Sequence, residues 1–215
     1  MESKKSKDQS YQKACKLAFI NGNWAPAFKI WKALADEGCI DSSFYAGLCY
    51  DFGCGTKTNR KKAFAYYLYA AQSGEVVAQY NVYMMYRDGE GTAKNLKKAI
   101  VWLKQAASQG DPQALRDLGY AYHKGTGLKK NDKLAVKYYK MAAIKGDPEA
   151  QWNLSLCYQD GDGVSKSDRW SRHWLIKAAQ HGHKDAKEKA KRSKQASKCR
   201  TPAKQCINCR APKKS

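Results

Sequence analysis

Apolar positions along the chain recur in two alternating settings. In 114–122, Ala114, Leu115, Leu118, Gly119 and Tyr122 fall at three- and four-residue steps, one stripe of a helix. In 134–143, Leu134, Ala135, Tyr138, Tyr139, Ala142 and Ala143 trace a second stripe. The spacing predicts a short first helix and a second helix behind it. Gly125-Thr126-Gly127 lies between them, and glycine accepts the left-handed backbone that ends a helix. Asn131 then stands where an N-cap is needed, and the second helix stops at Gly146. Asp147-Pro148 opens the next first helix, a suitable position for proline.

This two-helix unit repeats every 36 residues. Gly53-Cys54-Gly55, Gly89-Glu90-Gly91 and Gly161-Asp162-Gly163 match the glycine pair, and Asn59, Asn95 and Ser167 match the cap. Ser42, Ala78, Ala114, Ala150 and Ala186 share one phase, and Ala-Ala pairs at 70, 106, 142 and 178 share another. Tyr50, Tyr86, Tyr122 and Tyr158 keep step, with no insertion from Ser42 to Ala186. A Gly-x-Gly ahead of lysines could suggest a phosphate loop. That loop requires a Gly-Lys-Ser/Thr ending after a strand, which no copy has. Four copies at a fixed period instead mark a repeat architecture, in which each unit buries its apolar stripe only by stacking on its neighbours. Small residues at the alanine pairs and at Gly47, Gly119 and Ser155 allow close helix approach.

The ends read as caps. Residues 11–38 form a degenerate unit, with Ala27, Phe28, Trp31, Ala35 and Gly38 one period before their counterparts and a turn at Asn21-Gly22-Asn23. Repeats follow at 42–74, 78–110, 114–146 and 150–182, together 42–182. A polar segment, 1–10, precedes them; a capping helix, 184–197, and a basic cysteine-containing tail, 198–215, follow.

The run Ala-x-x-x-Leu-Gly-x-x-Tyr-x-x-Gly-x-Gly, followed by a cap, alanine, an aromatic pair, Ala-Ala and Gly, resembles the Sel1-like repeat, a relative of the tetratricopeptide repeat. Residues 114–147 carry it most fully. The sequence departs from the pattern at Tyr83, where glycine is usual, and at Ser171, which replaces the alanine of 63, 99 and 135. The resemblance implies an all-α fold, a right-handed α-solenoid of helix-turn-helix repeats. It also implies an adaptor or scaffold in which the first helices line a concave groove that takes a peptide or helix.

If Ala114, Leu118 and Tyr122 face the core, a neighbouring stripe faces out. It comprises Gln113, Arg116, Tyr120 and His123, then by phase Asp41, Phe44, Leu48 and Asp51; Val77, Tyr80, Met84 and Arg87; and Glu149, Trp152, Leu156 and Gln159. Phe44, Tyr80, Arg116 and Trp152 make one ladder, and Leu48, Met84, Tyr120 and Leu156 another. A solvent-facing stripe is normally polar; this one has the composition of interface anchors. The alternative is that curvature buries both rows as core, with Trp152 and Tyr80 deciding between the two.

Charge adds a second reading. The net charge is +21, and residues 183–215 hold twelve Lys or Arg against two acids. Such a tail could bind nucleic acid, another polyanion or an anionic surface, or serve as a nuclear address, or be a solvated end. No zinc-finger or helix-turn-helix pattern is visible, so nucleic-acid binding would be driven by phosphate contacts.

Cys199, Cys206 and Cys209 have the spacing of an incomplete zinc site that His181 or His183 could complete; free thiols are the other reading. Cys49 and Cys157 share a phase that Met85 and Ala121 interrupt, which argues for buried thiols rather than a disulfide ladder. The four histidines belong to no nucleophile or metalloprotease motif, so neither an enzyme nor a cofactor is expected. The chain carries no signal-peptide pattern and no apolar run of membrane-spanning length. The expectation is a cytoplasmic monomer; the alternative is an effector delivered into a host cell.

Overall fold

The computed structural model describes residues 4–198, and among them every regular element is helical. The cysteine-containing tail and its three thiols lie outside the described residues. The chain divides into two compact units, residues 1–130 and 131–215.

The first unit holds α1 (Lys4–Cys15), a π-helical turn (Lys16–Ile20), α2 (Trp24–Asp36), α3 (Ile40–Phe52), α4 (Arg60–Gln72), α5 (Val76–Asp88), α6 (Leu96–Ser108) and α7 (Pro112–Lys124). Each helix packs on the next in sequence. The first helices are not the shorter ones: α3 to α7 all have 13 residues. The apolar stripe marks only the buried turns, while the hydrogen-bond ladder continues through polar ends such as Asp51 and Asp88.

Residues 4–10 of the polar segment 1–10 are not a separate tail, because helix begins at Lys4. Buried Ala14 and Ala18 anchor α1 and the turn after it. Tyr11 meets Tyr45 with ring centroids 6.0 Å apart, and Lys7 pairs with Glu37 at 2.8 Å.

The connections are built as the spacing requires. Asn59 and Asn95 have extended backbones, and each side-chain oxygen accepts an N–H three residues on, from Lys62 and Lys98, at 3.0 Å. Gly53, Gly89 and Gly125 end their helices in the left-handed conformation. The second glycine of each pair does different work. A Cβ on Gly55 would overlap the Trp24 carbonyl, and one on Gly91 would overlap that of Arg60. The second glycine is therefore where each connection lies on the start of the preceding unit's second helix.

Packing between paired helices follows a size rule. A Cβ on Gly47 would come within 2.8 Å of the Tyr67 ring, which is 1 % exposed. One period on, the glycine becomes Tyr83 and the tyrosine becomes Leu103, both buried. The bulky residue that breaks the repeat pattern thus stands opposite the position where leucine replaces an aromatic ring.

The grid tyrosines differ in the same way. Tyr50 and Tyr86 are buried, each edge-on to a phenylalanine, Phe28 or Phe64, at 5.1 Å. Tyr122 is half-buried rather than core, and the phase that held those phenylalanines holds Ile100 in its repeat.

The second unit holds α8 (Asp132–Ile144), α9 (Pro148–Asp160), α10 (Asp168–Gln180) and α11 (Lys184–Lys198). Asn131 caps α8, Ser167 caps α10, and Gly163 lies on the Asp132 carbonyl just as Gly91 lies on Arg60. α11 closes the unit over Leu175, Ala178 and Ala186, with Trp152 packed against them. Cys49 and Cys157 are buried free thiols, and burial pushes both thiols up to about 12.

Candidate protein-interaction surface

In the first unit, the outward stripe of the first helices is neither core nor fully open. Phe44, Leu48 and Asp51 on α3, Tyr80, Met84 and Arg87 on α5, and Arg116 and His123 on α7 are half-buried, and Tyr120 is 51 % exposed. The core stripe beside them, Ala46, Val82 and Leu118, is sealed. The 3.6-residue turn explains the division, since one flank of each helix meets its partner helix and the adjoining flank stays accessible.

Polar groups fix this surface. The Tyr80 hydroxyl donates to Asp117 Oδ2 at 2.9 Å, and Arg116 Nε donates to Asp117 Oδ1 at 2.9 Å. Burial, then the Asp117 carboxylate, raises the Tyr80 phenol well above its ordinary value, so it remains a donor. Arg87 binds Asp88 through Nε and Nη2 and reaches the Tyr83 hydroxyl at 3.4 Å; the Asp88 bond is the main cause holding the guanidinium protonated. Beside this network a cavity of about 270 Å³ opens between Tyr83, Arg87, Leu96, Ile100, Tyr120 and Thr126. Its lining combines aliphatic, aromatic and charged groups, the composition of a site that accepts one large apolar side chain.

In the second unit the expected anchors are already engaged. Trp152 is half-buried, stacks on His183 with centroids 4.9 Å apart at 21°, and lies 5.2 Å from the Lys189 ammonium. Lys189 also donates to Gln159 Oε1 at 2.6 Å. His183 and the capping helix thus hold three of the four stripe residues predicted here, Glu149, Trp152 and Gln159, leaving Leu156, and Trp152 is not the free anchor its phase suggests.

The two histidines that the sequence offers as zinc ligands, His181 and His183, serve the packing of this segment instead. His183 occupies the capping phase of Glu75, Asp111 and Asp147, and its Nδ1 accepts the Ala186 N–H at 3.2 Å. That assigns the proton to Nε2, which faces Glu149 at 3.2 Å. His181 contacts Gln151 Oε1 through Nδ1 at 2.8 Å, and Gln151 in turn donates to the Ala143 carbonyl. Gln79 and Gln109 form the same bridge two repeats earlier. The structure therefore commits Nδ1 of both histidines, and Nε2 of His183, to structural contacts rather than offering them to a metal. Among the described residues no cluster of His, Cys, Asp and Glu could hold a metal ion.

The Sel1 repeat family model matches residues 40–75, 76–111, 112–147 and 148–183. The chain belongs to the Sel1 repeat family. A Sel1 repeat protein from Oxalobacter formigenes superposes with a TM-score of 0.77 at 32 % identity, over 82 % of this chain and 71 % of that one. c5321, a protective antigen of uropathogenic Escherichia coli with the SLR fold, superposes with a TM-score of 0.79 at 26 % identity. That match covers 84 % of this chain and 39 % of the antigen, so the present chain spans less than half its length. The immunity protein PA5088 of Pseudomonas aeruginosa shares the fold at 24 % identity and a TM-score of 0.55, over 86 % and 69 % of the two chains. No curated protein matches the chain. Sel1 repeats form a non-catalytic helical scaffold that generally mediates protein–protein interaction. Among the described residues no helix is long and apolar enough to cross a membrane.

Proposed function

We propose that this Sel1 repeat protein is an adaptor that binds a protein segment along the outward stripe of its first helices. The observation that carries the reading is the accessible row Phe44, Leu48, Tyr80, Met84 and Tyr120, large side chains left part-open beside a sealed core. Interface anchors are typically aromatic or long apolar groups on a prearranged surface, and here the Asp117 network holds the tyrosine and arginine side chains in place. The cavity beside Tyr120 would take one bulky apolar residue of the partner.

Capture of a native partner by the wild type and by Met84→Asp and Tyr120→Ala tests this. Both positions are accessible, so both variants should melt within a few degrees of wild type. Capture should fall by at least about tenfold, the effect of removing a single hot-spot side chain. Unchanged capture by both variants would contradict the assignment.

A further inference from the structure

The first unit segregates charge in a way that neither the fold nor the proposed groove requires. Its second-helix-to-first-helix turns hold acids only: Asp36, Glu37 and Asp41, then Glu75, then Asp111. The opposite edge is built from the ends of α3, α5 and α7, the connections after them and the starts of α4 and α6, and it holds nine lysines. Its three acids are each held by an arginine: Asp51 and Glu90 by Arg60, and Asp88 by Arg87. Lys57, Lys61, Lys62, Lys97 and Lys98 are exposed and form no ion pair among the described residues. Lys62 and Lys98 lie over the rings of Tyr50 and Tyr86, at 5.3 and 5.5 Å, a cation–π contact that supplies no counter-charge.

Helix stability does not account for these lysines. Arg60-Lys61-Lys62 and Lys97-Lys98 occupy first turns, where the helix dipole disfavours cations, and neither α4 nor α6 carries a first-turn acid. The edge is continuous from one repeat to the next within this unit, because Gly91 lies on the Arg60 carbonyl and Gly127 lies against Leu96 and Ile100. It also carries an unexplained aromatic. Phe52, the last residue of α3, is 70 % exposed beside this edge, where the equivalent positions hold Asp88 and Lys124.

We infer that this edge binds single-stranded nucleic acid, with phosphates on the lysines and a base stacked on Phe52. Unpaired cations along a track with an exposed ring are the elements of sequence-tolerant single-strand binding. An acidic polypeptide would satisfy the charges but leave Phe52 without a role. An anionic membrane would attract the lysines too, but stable anchoring needs a second, apolar element, and a single ring at Phe52 is a small one. The site uses other residues than the basic tail and adjoins the Tyr120 cavity, whose wall includes Arg87, Leu96, Ile100 and Thr126.

The test is fluorescence anisotropy of the full chain with a labelled oligothymidylate of about 20 nucleotides at two potassium chloride concentrations. Lys61→Glu/Lys97→Glu should weaken binding about tenfold or more and flatten the salt dependence, by roughly 0.7 in log–log slope for each phosphate no longer neutralised. Lys29→Glu/Lys104→Glu, with the same charge change elsewhere in the unit, should have a much smaller effect. Phe52→Ala should reduce affinity for the single strand more than for a duplex of equal length. Lys57→Glu/Lys94→Glu repeats the charge test should the first pair fail to fold. Affinity unchanged in the edge variants would overturn the inference, as would competition by polyglutamate or anionic vesicles equal to that by the oligonucleotide.

Discussion

At the scale of single residues, the two glycines of each connection have separate duties. The first ends a helix at positive φ. The second, as at Gly91, combines a φ of +69° with backbone contact against Arg60. Gly74, in a turn, has a φ of +97° and nothing within 4 Å of a Cβ. Gly74→Ala should therefore cost only the conformational term, about 1–2 kcal/mol. Gly91→Ala adds an overlap that only backbone movement relieves and should cost about 2–4 kcal/mol. Denaturant melts of the two variants measure the difference; equal losses would mean that the connection does not bear on the preceding helix. The sequence showed that both glycines of the pair recur, but not why, because the residue that the second one meets lies about 30 residues earlier in the chain.

At the scale of helix pairs, the exchange of Gly47 and Tyr67 for Tyr83 and Leu103 is a packing rule open to test. Tyr83→Gly should leave a void and cost about 3–5 kcal/mol. Leu103→Tyr alone should overpack and cost about 1–3 kcal/mol. The double variant restores the arrangement of the preceding unit, so its loss should be well below the sum of the two. A strictly additive double-mutant cycle in urea would show that the two positions do not share one volume. Element existence, caps and period were all legible, because stripes, Asn caps and glycines are local signals. The length of the first helices was not, since their polar ends carry no periodic signal. Nor was the half-exposed state of Tyr122, which shares its phase with the buried Tyr50 and Tyr86.

At the scale of the whole chain, membership of a repeat family explains why the fold is legible in the sequence and the exposure of each stripe residue is not. Repetition averages out local irregularities, so four imperfect copies define one helix pair well. Function resides in what differs between copies, and each difference must be judged against its own surroundings. Tyr80, Met84 and Tyr120 keep accessible surface, whereas Trp152, on the same ladder as Tyr80, is covered by His183 and Lys189 of the capping segment. Nothing in the phase of Trp152 announces this, because the covering residues come from beyond the last repeat.

The most direct test of the adaptor assignment is site-specific photo-crosslinking with benzoylphenylalanine placed at Met84 or Tyr120 on the stripe, and at Tyr69 or Ile144, which are exposed on second helices. If the stripe is the docking surface, Met84 and Tyr120 should yield adducts to one common partner in native lysate, and Tyr69 and Ile144 should not. The same partner crosslinking from Tyr69 or Ile144, with none from Met84 or Tyr120, would contradict the account.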